Sequence, residues 1–174
     1  MGFSINPNAQ LTTEQQTNFT ADLASQLPFD IYVTSGTRNA RQQAQAMFTK
    51  IELGDNLIAI YKDDSFAQGV MDAYPSIANA TGFIQQYYDT GRGSKHGRGL
   101  AIDIRTRNLS SDQILQLIAA AKNIGGSTLL EQIPPHLHIG IPADYAASSK
   151  KNILKILIPL TLLSIFAVQF MGKK

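Results

Sequence analysis

The sequence predicts an α+β fold in which helices pack around an antiparallel sheet, followed by one C-terminal transmembrane helix. Segments with helix and strand patterns follow one another in the order helix, strand, helix, helix, strand, helix, strand, strand. A proline pair separates the last two strand patterns, as is typical of a turn between strands. The run at 153–171 is mostly apolar and has one charge, Lys155, which indicates a membrane span.

The N-terminal half begins with a helix pattern at 11–27. Thr12 and Thr13 are candidate N-caps, because each has a glutamine three residues later, and Pro28 ends the segment. A short β-branched strand follows at 30–36 and closes at a glycine. The rest of this half comprises a helix at 39–53, a stretch at 55–75 without a clear pattern, and a helix at 75–91.

The C-terminal half contains the clearest elements. Residues 100–105 alternate as a strand, and residues 110–126 combine a capping serine, an early acid and closing glycines, which predicts a helix. The segments "STLLEQI" and "HLHIGI" predict two strands joined at Pro134 and Pro135. These elements place one folded domain at 1–141. They are followed by a small, polar linker at 142–152, the apolar helix at 153–171 and a basic tail at 172–174.

The charge of the chain is unevenly distributed. Residues 1–149 contain ten lysines and arginines against thirteen acids, whereas residues 150–174 contain five lysines and no acid. The net charge of +2 therefore reflects the tail and argues against a nucleic-acid partner for the domain. The chain has no cysteine, which excludes disulfides, thiolate metal ligands and cysteine nucleophiles.

The apolar tail predicts a single-pass membrane anchor. Nineteen residues in a helix reach about 28 Å, close to the thickness of a hydrocarbon core, and lysines flank both ends. The alternative is a buried C-terminal helix, but the run is apolar on all sides and contains Pro159. We therefore expect a membrane location with a lipid membrane as one partner of the chain.

Histidines and an aspartate are placed to share one face of the predicted sheet. Strand alternation puts Asp103 opposite the apolar side of 100–105, and it puts His136 and His138 opposite the apolar side of the last strand. Gly97 and Gly99 permit a turn that brings His96 towards Asp103. Two histidines, a carboxylate and an open position form a catalytic zinc ligand set, and Glu131 is the nearest acid in sequence that could serve as its base.

Taken singly, these features have simpler explanations. A His-x-His pair is usually an ordinary strand feature, and Glu131 alone fits a solvated strand residue. The segment "GRGSKHGRG" could be a basic loop or an anion-binding nest.

In combination they resemble a known family. The segment "SKHGRGLAID" matches Ser-x-His-x-x-Gly-x-Ala-x-Asp, the first zinc motif of the zinc D-Ala-D-Ala carboxypeptidase and L-alanyl-D-glutamate peptidase family, to which the hedgehog signalling domain is related. "EQIPPHLHIGI" resembles its second motif, and "VTSGTRNARQQAQ" resembles its upstream Ser-Gly-aromatic-Arg segment. The three pieces occur in the family's order over residues 30–141.

The resemblance implies a role for each matching residue. Zn²⁺ would be bound by His96, Asp103 and His138. Two further catalytic residues are implied, Glu131 as general base and His136 as a transition-state or supporting residue. The implied substrate-binding residues are Arg38, for a carboxylate, and Ser94, which would hydrogen-bond within the site.

Two positions depart from the family pattern. Thr37 stands where an aromatic residue is usual. Glu131 lies seven residues before His138, further than in many members, and His136 is the substitute if Glu131 is not the base.

The implied activity is zinc-dependent hydrolysis of a peptide bond in peptidoglycan stem peptides, by carboxypeptidase or endopeptidase action. The first residues lack a signal-peptide pattern, and the tail is apolar. Together these features suggest an enzyme that is anchored in the internal membrane of a bacteriophage virion. There it would have virion proteins as partners, and it would lyse the cell wall during entry.

The alternative is a non-catalytic, zinc-stabilised membrane or virion protein of the same fold. A nucleic-acid-binding protein that uses the arginine-rich loop is a third, weaker interpretation.

Overall fold

The computed structural model describes residues 2–61 and 63–146, and its framework is a five-stranded sheet in the order β1-β2-β3-β5-β4. In chain order the elements are β1 (Phe3–Ile5), α1 (Glu14–Ser25), β2 (Ile31–Ser35), α2 (Ala40–Glu52), α3 (Leu57–Ile60), α4 (Asp64–Ala73), α5 (Ile77–Asp89), β3 (Ala101–Arg105), α6 (Ser111–Asn123), β4 (Ser127–Gln132) and β5 (Pro135–Gly140). The α+β class is as predicted, and α3 and α4 occupy the stretch that showed no clear pattern.

The prediction of a purely antiparallel sheet is wrong, because the sheet is mixed. Strand β1 pairs in parallel with β2, whereas the pairs β2–β3, β3–β5 and β4–β5 are antiparallel. Parallel neighbours need a crossover connection, and α1 provides it between β1 and β2. With only three residues, β1 was too short to show a strand pattern in the sequence.

The predicted membrane anchor is also corrected. Among residues 2–61 and 63–146, no helix is both long and apolar enough to cross a membrane. The predicted span at 153–171 and the basic tail at 172–174 lie outside the described residues. The predicted single-pass anchor therefore has no counterpart among the described residues, and these residues form an α+β domain with a mixed sheet.

The folded part extends beyond the predicted boundary at residue 141. The ring of Tyr145 packs edge-on against Phe19 at 5.0 Å, and its hydroxyl donates to the carboxylate of Asp22 at 2.6 Å. Part of the predicted linker, 142–152, therefore packs on α1, and its residues after 146 lie outside the described part of the chain.

The predicted caps begin three of the helices. Thr13 before α1 and Ser110 before α6 form capping boxes with a glutamine three residues later, and Ser76 caps α5. A side-chain oxygen at the cap accepts from a backbone N–H that has no partner within the helix, so each cap sets where its helix begins.

Two apolar clusters stabilise the domain on different sides of the site. The first packs one face of the sheet against α1 and α6, and its fully buried members include Phe19, Leu23, Ile102, Ile104, Leu117, Leu137 and Ile139. The second joins the helices α2 to α5, and its members include Met47, Leu57, Phe66, Val70 and Ile84. The other face of the sheet is left for polar side chains.

Candidate metal centre

Strand register brings the predicted site residues to the open face of the sheet. In the β3–β5 pair, Asp103 lies opposite His138 and Arg105 lies opposite His136, and in the β4–β5 pair Glu131 lies opposite His136. Directly paired residues of antiparallel strands project to the same face. Strand alternation therefore puts all five side chains opposite the apolar core.

Three ligand atoms meet at one point on this face. Nε2 of His96 lies 3.2 Å from Oδ1 of Asp103 and 3.2 Å from Nδ1 of His138, and the last two atoms are 2.9 Å apart. Ligands held at about 2.0–2.1 Å from a tetrahedral zinc ion lie about 3.3 Å from one another. The atom types and spacings therefore fit zinc, and among the described residues these three form the group able to hold a metal ion.

The turn that carries His96 depends on two glycines, as predicted. Gly99 has a φ of +66°, which is in the left-handed region that favours glycine. A Cβ at Gly97 would lie 2.0 Å from Cζ of Tyr88, so this glycine makes room for the tyrosine ring. The turn closes where the N–H of Leu100 donates to the carbonyl of Lys95 at 2.8 Å. His96 is thereby buried beside the end of β3.

The other nitrogen of His96 is fixed by the backbone of the segment after β2. Nδ1 lies 2.6 Å from the carbonyl oxygen of Gly36 and donates to it, which leaves Nε2 without a proton and available to a metal. Gly36 is itself closely packed, because a Cβ there would lie 2.1 Å from the carbonyl oxygen of Gln10. The Ser-Gly segment singled out in the sequence thus orients a predicted metal ligand.

Replacing Gly36 by alanine should weaken metal binding without touching a ligand. The new Cβ must displace either the backbone at Gln10 or the Gly36 carbonyl, so we expect about 1–3 kcal/mol of lost stability and a 10–100-fold lower zinc affinity. Thermal unfolding and zinc titration measure both effects. Gly82→Ala is the matched control, since no atom lies within 4 Å of its Cβ position on the exposed side of α5, and it should leave both quantities unharmed.

Asp103 is buried between the two histidines and an arginine. Its Oδ1 lies 3.2 Å from Nε2 of His96 and 2.9 Å from Nδ1 of His138, and its Oδ2 accepts from Nη2 of Arg38 at 2.6 Å. Burial alone raises the pKa of Asp103, but the histidine contacts and the charge of Arg38 outweigh it and hold that pKa well below its usual range. Burial lowers the pKa of His96, against the opposing charge of Asp103. The anionic carboxylate and neutral imidazole are the forms that bind zinc.

Arg38 contacts a predicted metal ligand, and its pairing with a substrate carboxylate stays a prediction. Its Nη2 contacts Asp103 and its Nε donates to Ser35 Oγ at 3.0 Å. Its side chain is 21% exposed. In this arrangement Arg38 orients the carboxylate of a predicted metal ligand.

Ser94 lies in a network of side chains beneath the His96 turn. Its hydroxyl donates to Oε1 of Gln43 at 3.0 Å, accepts from the N–H of Gly97 at 3.0 Å and hydrogen-bonds with the hydroxyl of Tyr88 at 3.1 Å. The amide of Gln43 also donates to the hydroxyl of Tyr61, whose pKa burial raises to about 12. With three protein partners, Ser94 ties the turn to α2 and α5; substrate contact by Ser94 stays a prediction.

Glu131 and His136 lie beside the proposed metal ligands. Nε2 of His136 is 3.7 Å from Oε2 of Glu131 and 3.8 Å from Oδ1 of Asp103, so the imidazole stands between two carboxylates. Its Nδ1–H donates to the carbonyl of Pro134 at 2.6 Å, which directs Nε2 towards the site. Both catalytic candidates are thus close together and close to Asp103.

Sequence reasoning missed three contributors to this site. Nζ of Lys50 forms an ion pair with Oε2 of Glu131 at 2.5 Å, although the two residues are 81 positions apart. Gln43 anchors Ser94, and the carbonyl of Gly36 orients His96. Of the three, only Gly36 could have been found from the sequence, because it belongs to the segment "VTSGTRNARQQAQ" that resembles the upstream motif of the family. Lys50 and Gln43 lie on a helix whose orientation towards the sheet cannot be derived from spacing.

The site opens into a cleft of about 850 Å³ between the sheet, α2 and the turn after α5. Exposed apolar side chains line part of it, namely Leu53, Ile60, Leu129 and Ile133. Basic side chains line another part, namely Arg38, Lys50, Arg92, Lys95, Arg98, Arg105 and Arg107. A cleft of this size and mixed lining suits a short peptide that carries negative charge.

Comparisons with protein-family models, with curated proteins and with solved structures find no match to this chain.

Proposed function

We propose that this protein is a zinc-dependent peptidase that cleaves stem peptides of peptidoglycan. The observation that carries the proposal is the convergence of Nε2 of His96, Nδ1 of His138 and Oδ1 of Asp103 at separations suited to one zinc ion. The substrate class rests on the resemblance of the two motifs that supply these residues. The surrounding cleft, with its basic and apolar walls, supports a peptide substrate.

The residues around the ligands suit the hydrolysis of a peptide bond. A bound zinc ion supplies a Lewis acid and lowers the pKa of water towards neutrality. Glu131 takes the proton from the attacking water and returns it to the leaving amine. The hydrogen bond from His136 to the Pro134 carbonyl directs Nε2 of His136 towards the site. When this imidazole carries a second proton, its Nε2–H donates a hydrogen bond to the carbonyl oxygen of the substrate, on which negative charge develops.

The exposure of the ligands indicates where substrate enters. The side chains of His96 and Asp103 are 5% and 4% exposed, whereas that of His138 is 26% exposed. The cleft therefore reaches the three ligand atoms from the His138 side, where His136 and Glu131 also lie, and a metal ion held by these atoms would be accessible to substrate from that side. A peptide carbonyl bound from this side would meet the base and the imidazole together.

The test is digestion of purified peptidoglycan by the zinc-loaded full chain, followed by mass spectrometry of the released peptides. We expect new termini within or at the end of the stem peptides, their loss on chelation and their return with added Zn²⁺. His96→Ala should release none. The matched control is Asn123→Ala at the end of α6, outside the cleft, which should act like the wild type.

A second function has one observation in its favour. Lys50 neutralises the carboxylate of Glu131 through their short ion pair, which would suit a zinc-stabilised protein that binds rather than cleaves. A wild-type chain that holds one zinc ion, remains folded and leaves peptidoglycan intact would establish this alternative and contradict the peptidase.

A further inference from the structure

The cleft contains cationic side chains that the site does not use. Three of its basic residues have acidic partners: Arg38 pairs with Asp103, Lys50 with Glu131 and Arg92 with Asp63. Among residues 2–61 and 63–146, no carboxylate lies within ion-pair distance of Arg105 or Arg107, although both line the cleft. A positive charge that the fold itself does not pair is available to an anionic ligand.

Both arginines reach the cleft from the end of β3. Thr106, between them, is 4% exposed and belongs to the buried side of the strand end, whereas Arg105 and Arg107 reach the cleft. Arg105 lies opposite His136 in the β3–β5 register, and it is two residues from Asp103 on the same face. Arg105 therefore leaves β3 on the face that carries the predicted metal ligands and the predicted catalytic imidazole.

Arg105 is also held in a defined position. Its Cζ lies 4.2 Å from the centroid of the Tyr32 ring, a cation–π contact that leaves the N–H groups at the edge of the guanidinium free for an anion. A guanidinium fixed in this way loses less side-chain entropy when it binds a carboxylate. Arg107 is exposed and adds positive charge at the same end of the cleft.

We propose that Arg105, assisted by Arg107, binds a carboxylate of the substrate peptide and so determines that acidic peptides are accepted. The inference rests on the proposed peptidase function and assigns carboxylate binding to Arg105, a residue for which the family resemblance implies no role; the Nη2 of Arg38 contacts Asp103 instead of standing unpaired. Two N–H groups of Arg105 form a bidentate pair with the carboxylate. This contact holds the peptide at the side of the cleft formed by β2 and β3, with its scissile carbonyl towards the proposed zinc ligands.

The test compares acidic and amidated forms of one peptide on the zinc-loaded full chain. The probes are L-Ala-γ-D-Glu-L-Lys-D-Ala-D-Ala, the same peptide with a C-terminal amide, and the same peptide with the α-carboxylate of its glutamate amidated. Each amidated peptide lacks one of the two carboxylates, and Arg105 is proposed to bind only one of them. In the wild type we therefore expect the amidation of that carboxylate to raise KM about 10-fold, with kcat changed much less. Arg105→Gln should raise KM for the acidic peptide to the same extent and remove the preference, while zinc content is unchanged.

One further variant separates the charge of Arg105 from its geometry, and another is a control for the loss of a positive charge outside the cleft. Arg105→Lys keeps the charge but loses the planar guanidinium, and it should restore the preference only in part. Arg41→Gln removes the same charge from the exposed side of α2, outside the cleft, and should leave KM unchanged. A wild type without preference among the three peptides, or an Arg105→Gln chain that keeps the preference, would overturn the inference.

Binding measured by calorimetry keeps this inference distinct from the peptidase proposal. If no peptide is cleaved, the function fails, but the affinities of the acidic and amidated peptides for wild type and Arg105→Gln still decide whether Arg105 binds a carboxylate. If all three peptides are cleaved equally well by both chains, the function stands and the role of Arg105 does not.

Discussion

His138→Ala is expected to abolish stable zinc binding and, with it, peptide hydrolysis. Removing Nδ1 of His138 leaves only Nε2 of His96 and Oδ1 of Asp103 at the centre. Loss of a supporting group outside the ligand shell already costs 10–100-fold in affinity, so loss of a ligand should cost more than about 100-fold. Zinc titration against a competing chelator measures the affinity, and peptide release measures the activity.

The matched control is His136→Ala, two residues earlier on the same face of β5. It removes the same imidazole from a comparable environment, but His136 is not among the three converging ligands. We expect it to bind zinc within a few-fold of the wild type while its activity falls. If the two alanine variants lost zinc equally, or if His138→Ala retained it, the assignment of the ligands would be wrong.

Glu131→Gln is expected to keep zinc and lose catalysis. Glutamine preserves the size of the side chain but cannot accept the proton of the attacking water, and loss of a general base typically lowers kcat by about 10²–10⁴-fold. The change should leave the fold intact, because the side chain lies near the surface of β4 and Lys50 retains Asp55 at 3.7 Å as a partner. Single-turnover peptide cleavage and metal analysis of the same sample give both quantities.

Glu52→Gln supplies the control for the loss of one carboxylate. Glu52 lies at the exposed end of α2 outside the cleft, and the change should leave kcat unchanged. An active Glu131→Gln chain together with an inactive but zinc-loaded His136→Ala chain would assign the base to His136. A Glu131→Gln chain that loses zinc would instead place Glu131 among the metal-binding residues.

Part of the site could be predicted from the sequence because strand alternation is local. The pattern of residues 100–105 fixes which side of β3 Asp103 occupies, and the pattern of the last strand does the same for His138. Gly97 and Gly99 indicated the turn that brings His96 to them. Which residues face one another across strands was not predictable, since register depends on how the sheet assembles.

Contacts between distant elements account for what the sequence did not reveal. The parallel strand β1 has three residues and depends on its pairing with β2, so its pattern is too short to recognise. Arg38 was matched to a substrate contact by motif position, whereas its direction is set by the proximity of Asp103 and Ser35 in the fold. The ion pair of Lys50 with Glu131 likewise exists only after α2 has packed near the sheet.

The most direct test of the metal centre is a crystal of the zinc-loaded full chain measured on both sides of the zinc absorption edge. The account predicts one anomalous peak about 2.0–2.2 Å from Nε2 of His96, Nδ1 of His138 and Oδ1 of Asp103, with its open side towards the cleft. An anomalous peak at other residues, or no peak in a zinc-saturated crystal with these three side chains in place, would contradict it.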